Sequence, residues 1–129
     1  LGKVFGHAAA PAVVEEIKAF RNLQPGWNSY RAPEVSDSAI KAALKVVEAV
    51  AQRRAPLPTA APTASGGVSL AWEIGDLEIQ LLIDAASFDY SVARRAHPKV
   101  IDQGSLTQMH DVESRFIERY LIQAQPAEF

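Results

Sequence analysis

Cysteine is absent from the chain, and only one of its 129 residues is methionine. Without thiols there is no disulfide framework, no thiolate zinc site, no iron–sulfur cluster and no Cys nucleophile. An excess of one charge is missing too: 13 basic against 15 acidic side chains leave a formal net charge of −2, with a pI near 5.9. Nucleic-acid binders usually carry a basic excess that neutralises phosphates, so nucleic acid is not the expected partner. Long apolar runs are also lacking. No stretch approaches the roughly 20 residues that cross a bilayer, and a membrane-spanning helix is not expected. Ala8–Ala9–Ala10, cut by Pro11, is too short for the apolar part of a secretory signal, so the chain reads as cytoplasmic. Starting at Leu1 rather than Met, it reads as a fragment or a processed product.

What is present suits one globular domain over residues 1–129. Hydrophobic residues make up 48% of the chain, and a domain of this length buries about two-thirds of its unfolded surface without metal or disulfide staples. Residues 1–10 are expected to fray. From Pro11 to about Leu23, Val13, Val14, Ile17 and Phe20 recur at helical spacing with Glu15, Glu16, Lys18 and Arg21 between them. Pro11 suits the first turn of such a helix, where its missing N–H has no partner to lose, and Pro25–Gly26 ends it. A second helix follows, capped by Ser36 or Asp37. Its apolar stripe is Ile40, Ala43, Leu44, Val47, Val50 and Ala51, and Arg53 and Arg54 complement its C-terminal dipole. Residues 55–66, with three prolines before Pro62 is passed, form a spacer or an edge strand.

The clearest strand pattern begins after Gly66–Gly67. Val68, Leu70, Trp72 and Ile74 alternate with polar or small residues, Gly75–Asp76 fits a two-residue turn, and Leu77, Ile79, Leu81 and Ile83 alternate again. That hairpin sets Trp72 opposite Ile79 and Leu70 opposite Leu81. A further strand, Phe88 to Val92, joined by a four-residue loop, sets Tyr90 opposite Leu81 and Val92 opposite Ile79. Both registers put every large apolar residue except Leu82 on one face. Arg94 to Gly104 has no clean period. A last helix starting near Ser105 or Thr107 buries Met109, Val112, Phe116, Ile117, Tyr120 and Leu121. The expected fold is α+β: two N-terminal helices, a three- or four-stranded antiparallel meander, and a C-terminal helix packed on one sheet face.

The same register makes Glu73 and Glu78 face each other on the side away from the core. Like charges so placed repel, and a raised carboxyl pKa or a bound divalent cation would be one use for them. The simpler account is a solvated face with Arg95 arriving from the next strand to offset the charge. His97 and His110 have neither a serine nor a third ligand at a recognisable spacing, and His7 is near the end. No nucleophile elbow, Walker loop or dinucleotide glycine fingerprint occurs, so neither a metal nor a cofactor is expected. Trp27, Tyr30 and Arg31 share a loop and are residue types that anchor protein interfaces. Trp27 also suits a structural role closing the core. Arg94 and Arg95, with Lys99 nearby, form a small basic cluster.

Two stretches resemble a known group. Leu23-Gln24-Pro25-Gly26-Trp27-Asn28-Ser29-Tyr30-Arg31-Ala32-Pro33, Ser36, the helix from Ala39 to Val47, and Ala61-Pro62-Thr63-Ala64-Ser65-Gly66-Gly67-Val68-Ser69-Leu70-Ala71-Trp72-Glu73 are similar to a widespread family of small uncharacterised bacterial proteins. Its pattern is roughly "LPxGWDGYGAPxxSxxAIxxAxxxL", a Pro-rich spacer, then "PTPDGGVxLEW". The match covers about the middle half of the chain; Asn28 and Ser65 stand where the family has aspartates, and Ser29 where it has glycine. The resemblance implies the same order of helix, spacer and sheet, and an origin in small mobile bacterial gene clusters, where antitoxins and immunity proteins are common.

Function is therefore read first as a non-enzymatic interaction protein, of antitoxin or immunity type, that binds a protein partner and self-associates. Trp27, Tyr30, Arg31, Leu82, Arg94 and Arg95 are its candidate contact residues. The alternatives are a small metal-dependent hydrolase or nuclease using Glu73 and Glu78, and a nucleic-acid accessory protein using Arg94, Arg95 and Lys99.

Overall fold

The computed structural model describes residues 4–28, 33–85, 87–96 and 99–122, with backbone alone for 4–9. Helix α1, Val4–Ala19, runs into a single 3-10 turn at Phe20–Asn22. It begins earlier than expected, so Pro11 lies inside the helix rather than in its first turn. The alanines before Pro11 are the strongest helix formers, and they carry the helix back past the frayed end expected from the sequence. Leu23 then turns extended at φ −72° and ψ 130°, as the residues approach Pro25.

Helix α2, Asp37–Gln52, starts where Ser36 accepts a hydrogen bond from the Ala39 amide at 3.2 Å. That bond satisfies one of the N–H groups a helix start leaves unpaired. Its buried stripe is broader than expected, taking in Ala39, Val46 and Ala49 besides Ile40, Ala43, Val47 and Val50. Leu44 and Ala51, expected on that stripe, are half-buried along a groove between α1 and α2. Arg53 closes the helix by donating to the Ala49 carbonyl at 3.2 Å. It also reaches Glu113 at 3.5 Å and Glu118 at 3.4 Å, tying the end of α2 to the last helix.

Five antiparallel strands form one sheet in chain order: β1 Thr59–Pro62, β2 Val68–Ile74, β3 Leu77–Ile83, β4 Phe88–Arg94 and β5 Lys99–Leu106. The expected three or four strands become five because both flanking segments pair. The Pro-rich stretch does so as an edge strand, where a residue without an N–H is tolerated. Pro56 holds that stretch in place by accepting a bond from buried Trp72 Nε1 at 2.7 Å. β5 lies in the segment without a clean period, and its ladder with β4 slips between Val92 and Ala93. The inner registers agree with expectation: Trp72 faces Ile79, Leu70 faces Leu81, Tyr90 faces Leu81 and Val92 faces Ile79.

The last helix, α3, opens as α-helix over Met109–Asp111 and continues with π-helical bonding through Val112–Ile122. It starts after Ser105 and Thr107 because Ser105 still belongs to β5, where its hydroxyl donates to Asp89. Val112, Phe116, Ile117, Tyr120 and Leu121 are buried as expected, with Met109 half-buried. All the helices sit on one side of the sheet. α2 meets β2, β3 and α3, while α1 lies against α2 and β1. The core between these layers contains no buried polar or charged residue among those described. No helix among the described residues is long and apolar enough to cross a membrane.

Candidate interaction surface

A two-layer fold leaves one sheet face without helices, and the strand alternation decides what it shows. Partnered positions share a face, so the register gives rows across the sheet. One row is Thr59, Ala71, Gln80, Ser91 and Gln103; a second is Ala61, Ser69, Leu82, Asp89 and Ser105. At the turn end, Glu73, Glu78, Ala93 and Val100 make a third. Small and uncharged side chains therefore dominate this face. Leu82 stands out of it with 40% of its surface exposed. It adjoins a dent of about 160 Å³ lined by Thr63, Ser65, Asp84 and Asp89.

Glu73 and Glu78 are directly opposite, as the hairpin register requires. Arg95 reaches Glu73 at 3.2 Å and turns its other nitrogen to the Gly75 carbonyl. Arg95 thereby offsets the charge of Glu73, as the solvated-face account expects. The cup beside them, about 270 Å³, is floored by Ala71, Ser91 and Ala93, and no histidine or lysine lines it. Among the described residues no group of three His, Asp or Glu could hold a metal ion.

The basic cluster is absorbed by the fold. Arg94 pairs with Asp76 at 3.4 Å, while Asp76 accepts from the Arg95 amide at 2.8 Å through its carbonyl and from the Ala96 amide at 3.2 Å through its side chain. Arg94 and Arg95 thus clamp the β2–β3 turn to the end of β4, although both remain exposed, as Lys99 does. Trp27 is half-buried and donates to the Pro33 carbonyl at 3.1 Å, closing its loop over the start of α2. Tyr30, Arg31 and His97 lie outside the described residues. His110 is exposed in the first turn of α3, where its carbonyl accepts from the Ser114 hydroxyl.

Sequence reasoning missed two features, both on β5. Val100 and Ile101 are exposed by 50% and 46%. The signal for them is a pair of adjacent β-branched residues within an aperiodic stretch. The other is Asp102, which accepts a short hydrogen bond from the buried Tyr120 hydroxyl. Burial and then that bond push the Tyr120 pKa from 10.0 up to about 12. The unfolded chain therefore ionises near pH 10 while the folded chain resists. Stability from this residue is fully present below pH 10 and is lost as pH rises towards 12. The wild type is expected to lose about 2 kcal/mol more than Tyr120→Phe over that window, read from urea midpoints at each pH. Parallel curves for the two proteins would refute it.

No family model matches the chain, and neither the curated proteins nor the solved structures contain a significant match.

Proposed function

We propose that this chain is a non-enzymatic bacterial interaction module of the antitoxin or immunity type, acting in the cytoplasm by binding a protein partner. The partner sits on the sheet face opposite the helices. The observation that carries this reading is Leu82: a large apolar side chain exposed on the central strand, towards one end of a face made mostly of small residues. Leu82 costs hydration where it stands, and a partner that covers it recovers that cost while the surrounding Ser69, Gln80 and Ser91 offer hydrogen bonds at the rim. The remaining charges suit the same role. Glu73 meets Arg95 and Asp89 accepts from the Ser105 hydroxyl, so with Glu78 the face stays acidic, which favours a protein surface over a phosphate backbone.

The test is retrieval of the partner from the native host by the tagged chain. Leu82→Asp is expected to reduce retrieval at least about tenfold, equivalent to about 1.4 kcal/mol, with the melting temperature unchanged. No partner with the wild type, or equal retrieval by both proteins, would refute the reading.

A further inference from the structure

The uncovered face ends at β5, which is an edge strand: it pairs with β4 on one side and with nothing described on the other. Edge strands expose unpaired backbone groups and are usually blunted by charge or by bulges. β5 has both devices, Lys99 at its start and a bulge at Ile101, yet it places Val100 and Ile101 beside them in solvent. Against an arbitrary strand, Lys99 is a penalty. Against a second β5 running antiparallel, it meets an acid.

We propose that two copies of this chain pair through β5 across a two-fold axis, with Val100 opposite Ile101 of the second copy and Lys99 opposite its Asp102. A two-fold axis normal to a sheet carries the outer face onto the outer face, so residues that meet across it must occupy the same face of their strands. In a regular strand, neighbours alternate and Val100 could not meet Ile101. The bulge lifts that restriction. Asp102 faces Val92 and Val100 faces Ala93, leaving Ile101 as the extra residue, exposed like Val100. Lys99 and Asp102 then fall together on the opposite face and close two symmetric ion pairs. Asp102 is already oriented, because Tyr120 holds one of its oxygens. The pairing covers two of the three large exposed apolar side chains among the described residues and leaves the third, Leu82, untouched. It stands independently of the partner reading, since β3 takes no part in it.

A contact this short buries far less than the roughly 1,200 Å² of a stable interface, so the dimer is a weak one, with a dissociation constant between about 10 µM and 1 mM. Sedimentation equilibrium of the full chain across that range is expected to show monomer and dimer. Lys99→Glu, which turns both ion pairs into repulsions, is expected to weaken the dimer about tenfold. Asp102→Asn, which keeps an acceptor for Tyr120, is expected to weaken it about threefold. The chain has no cysteine, so Val100→Cys and Ile101→Cys proteins mixed under mild oxidation report the register without background. The mixed disulfide is expected to exceed the sum of the two symmetric products, which is the share random pairing would give it. A chain that stays monomeric to about 1 mM, a dimer indifferent to both charge changes, or a mixed product at or below that sum would each overturn the proposal.

Discussion

Replacing Phe116 with alanine is expected to lower the free energy of unfolding by about 4 kcal/mol. Phe116 is fully buried and is the hub of an aromatic cluster. Its ring lies 5.5 Å from that of Trp72, 5.8 Å from that of Tyr90 and 6.4 Å from that of Tyr120. Truncation loses the transfer energy of the ring and leaves a cavity whose walls belong to β2, β4 and α3, elements fixed by their own ladders and unable to collapse together. The edge-to-face contact with Trp72 is lost as well. Urea midpoints at pH 7 measure the effect, and a loss below about 1 kcal/mol would mean that α3 does not seat Phe116 against the sheet. Leucine at the same position fills part of the space and is expected to recover about half of the loss.

Gly67→Ala is expected to cost about 3 kcal/mol despite adding a single methyl group. A Cβ on Gly67 would sit 2.3 Å from the Ile83 carbonyl oxygen, which is backbone on the next strand and cannot swing aside. The glycine is also held in place from the other side. Its amide donates to the Thr63 hydroxyl at 2.9 Å and its carbonyl accepts from the Thr63 amide at 3.0 Å. Gly66 beside it has φ +90° and gives its carbonyl to the Ser36 amide at 2.8 Å, joining the β1–β2 turn to the cap of α2. A substitution at Gly67 therefore disturbs the β1 edge and the start of α2 together. Thermal and urea unfolding of this variant should still be a single transition. A neutral result would show that Gly67 does not approach the β3 backbone this closely.

Much of the sheet is legible in the sequence because period-two alternation and the Gly75–Asp76 turn constrain each other. A slip of one residue would turn Leu70, Trp72, Ile79 and Leu81 to solvent. The facing Glu73 and Glu78 follow from the same constraint, as does the isolated exposure of Leu82. Where alternation fails, so does the expectation. β5 is hidden because its bulge places Val100 and Ile101 next to each other, and because Gly104 offers no side chain to mark a face. Tyr90 covers that gap: a Cβ at Gly104 would lie 2.9 Å from its ring. The role of Arg94 and Arg95 is equally hidden. A pair of arginines reads as a basic patch until the carboxylates and carbonyls that occupy them are in view, and those come from the end of β2 and its turn, 18 to 22 residues earlier. Pro11 misleads by the opposite route. The local rule that starts a helix at proline yields to the helix-forming run before it.

Whether a protein partner binds the helix-free sheet face at Leu82 is decided by one retrieval from the native host with three tagged proteins. These are the wild type, Leu82→Asp on the sheet face, and Glu48→Lys on the exposed side of α2. The same partner is expected with the wild type and with Glu48→Lys, and its loss by at least about tenfold with Leu82→Asp. Loss with Glu48→Lys and retention with Leu82→Asp would contradict binding at the sheet and move the binding surface to the helices.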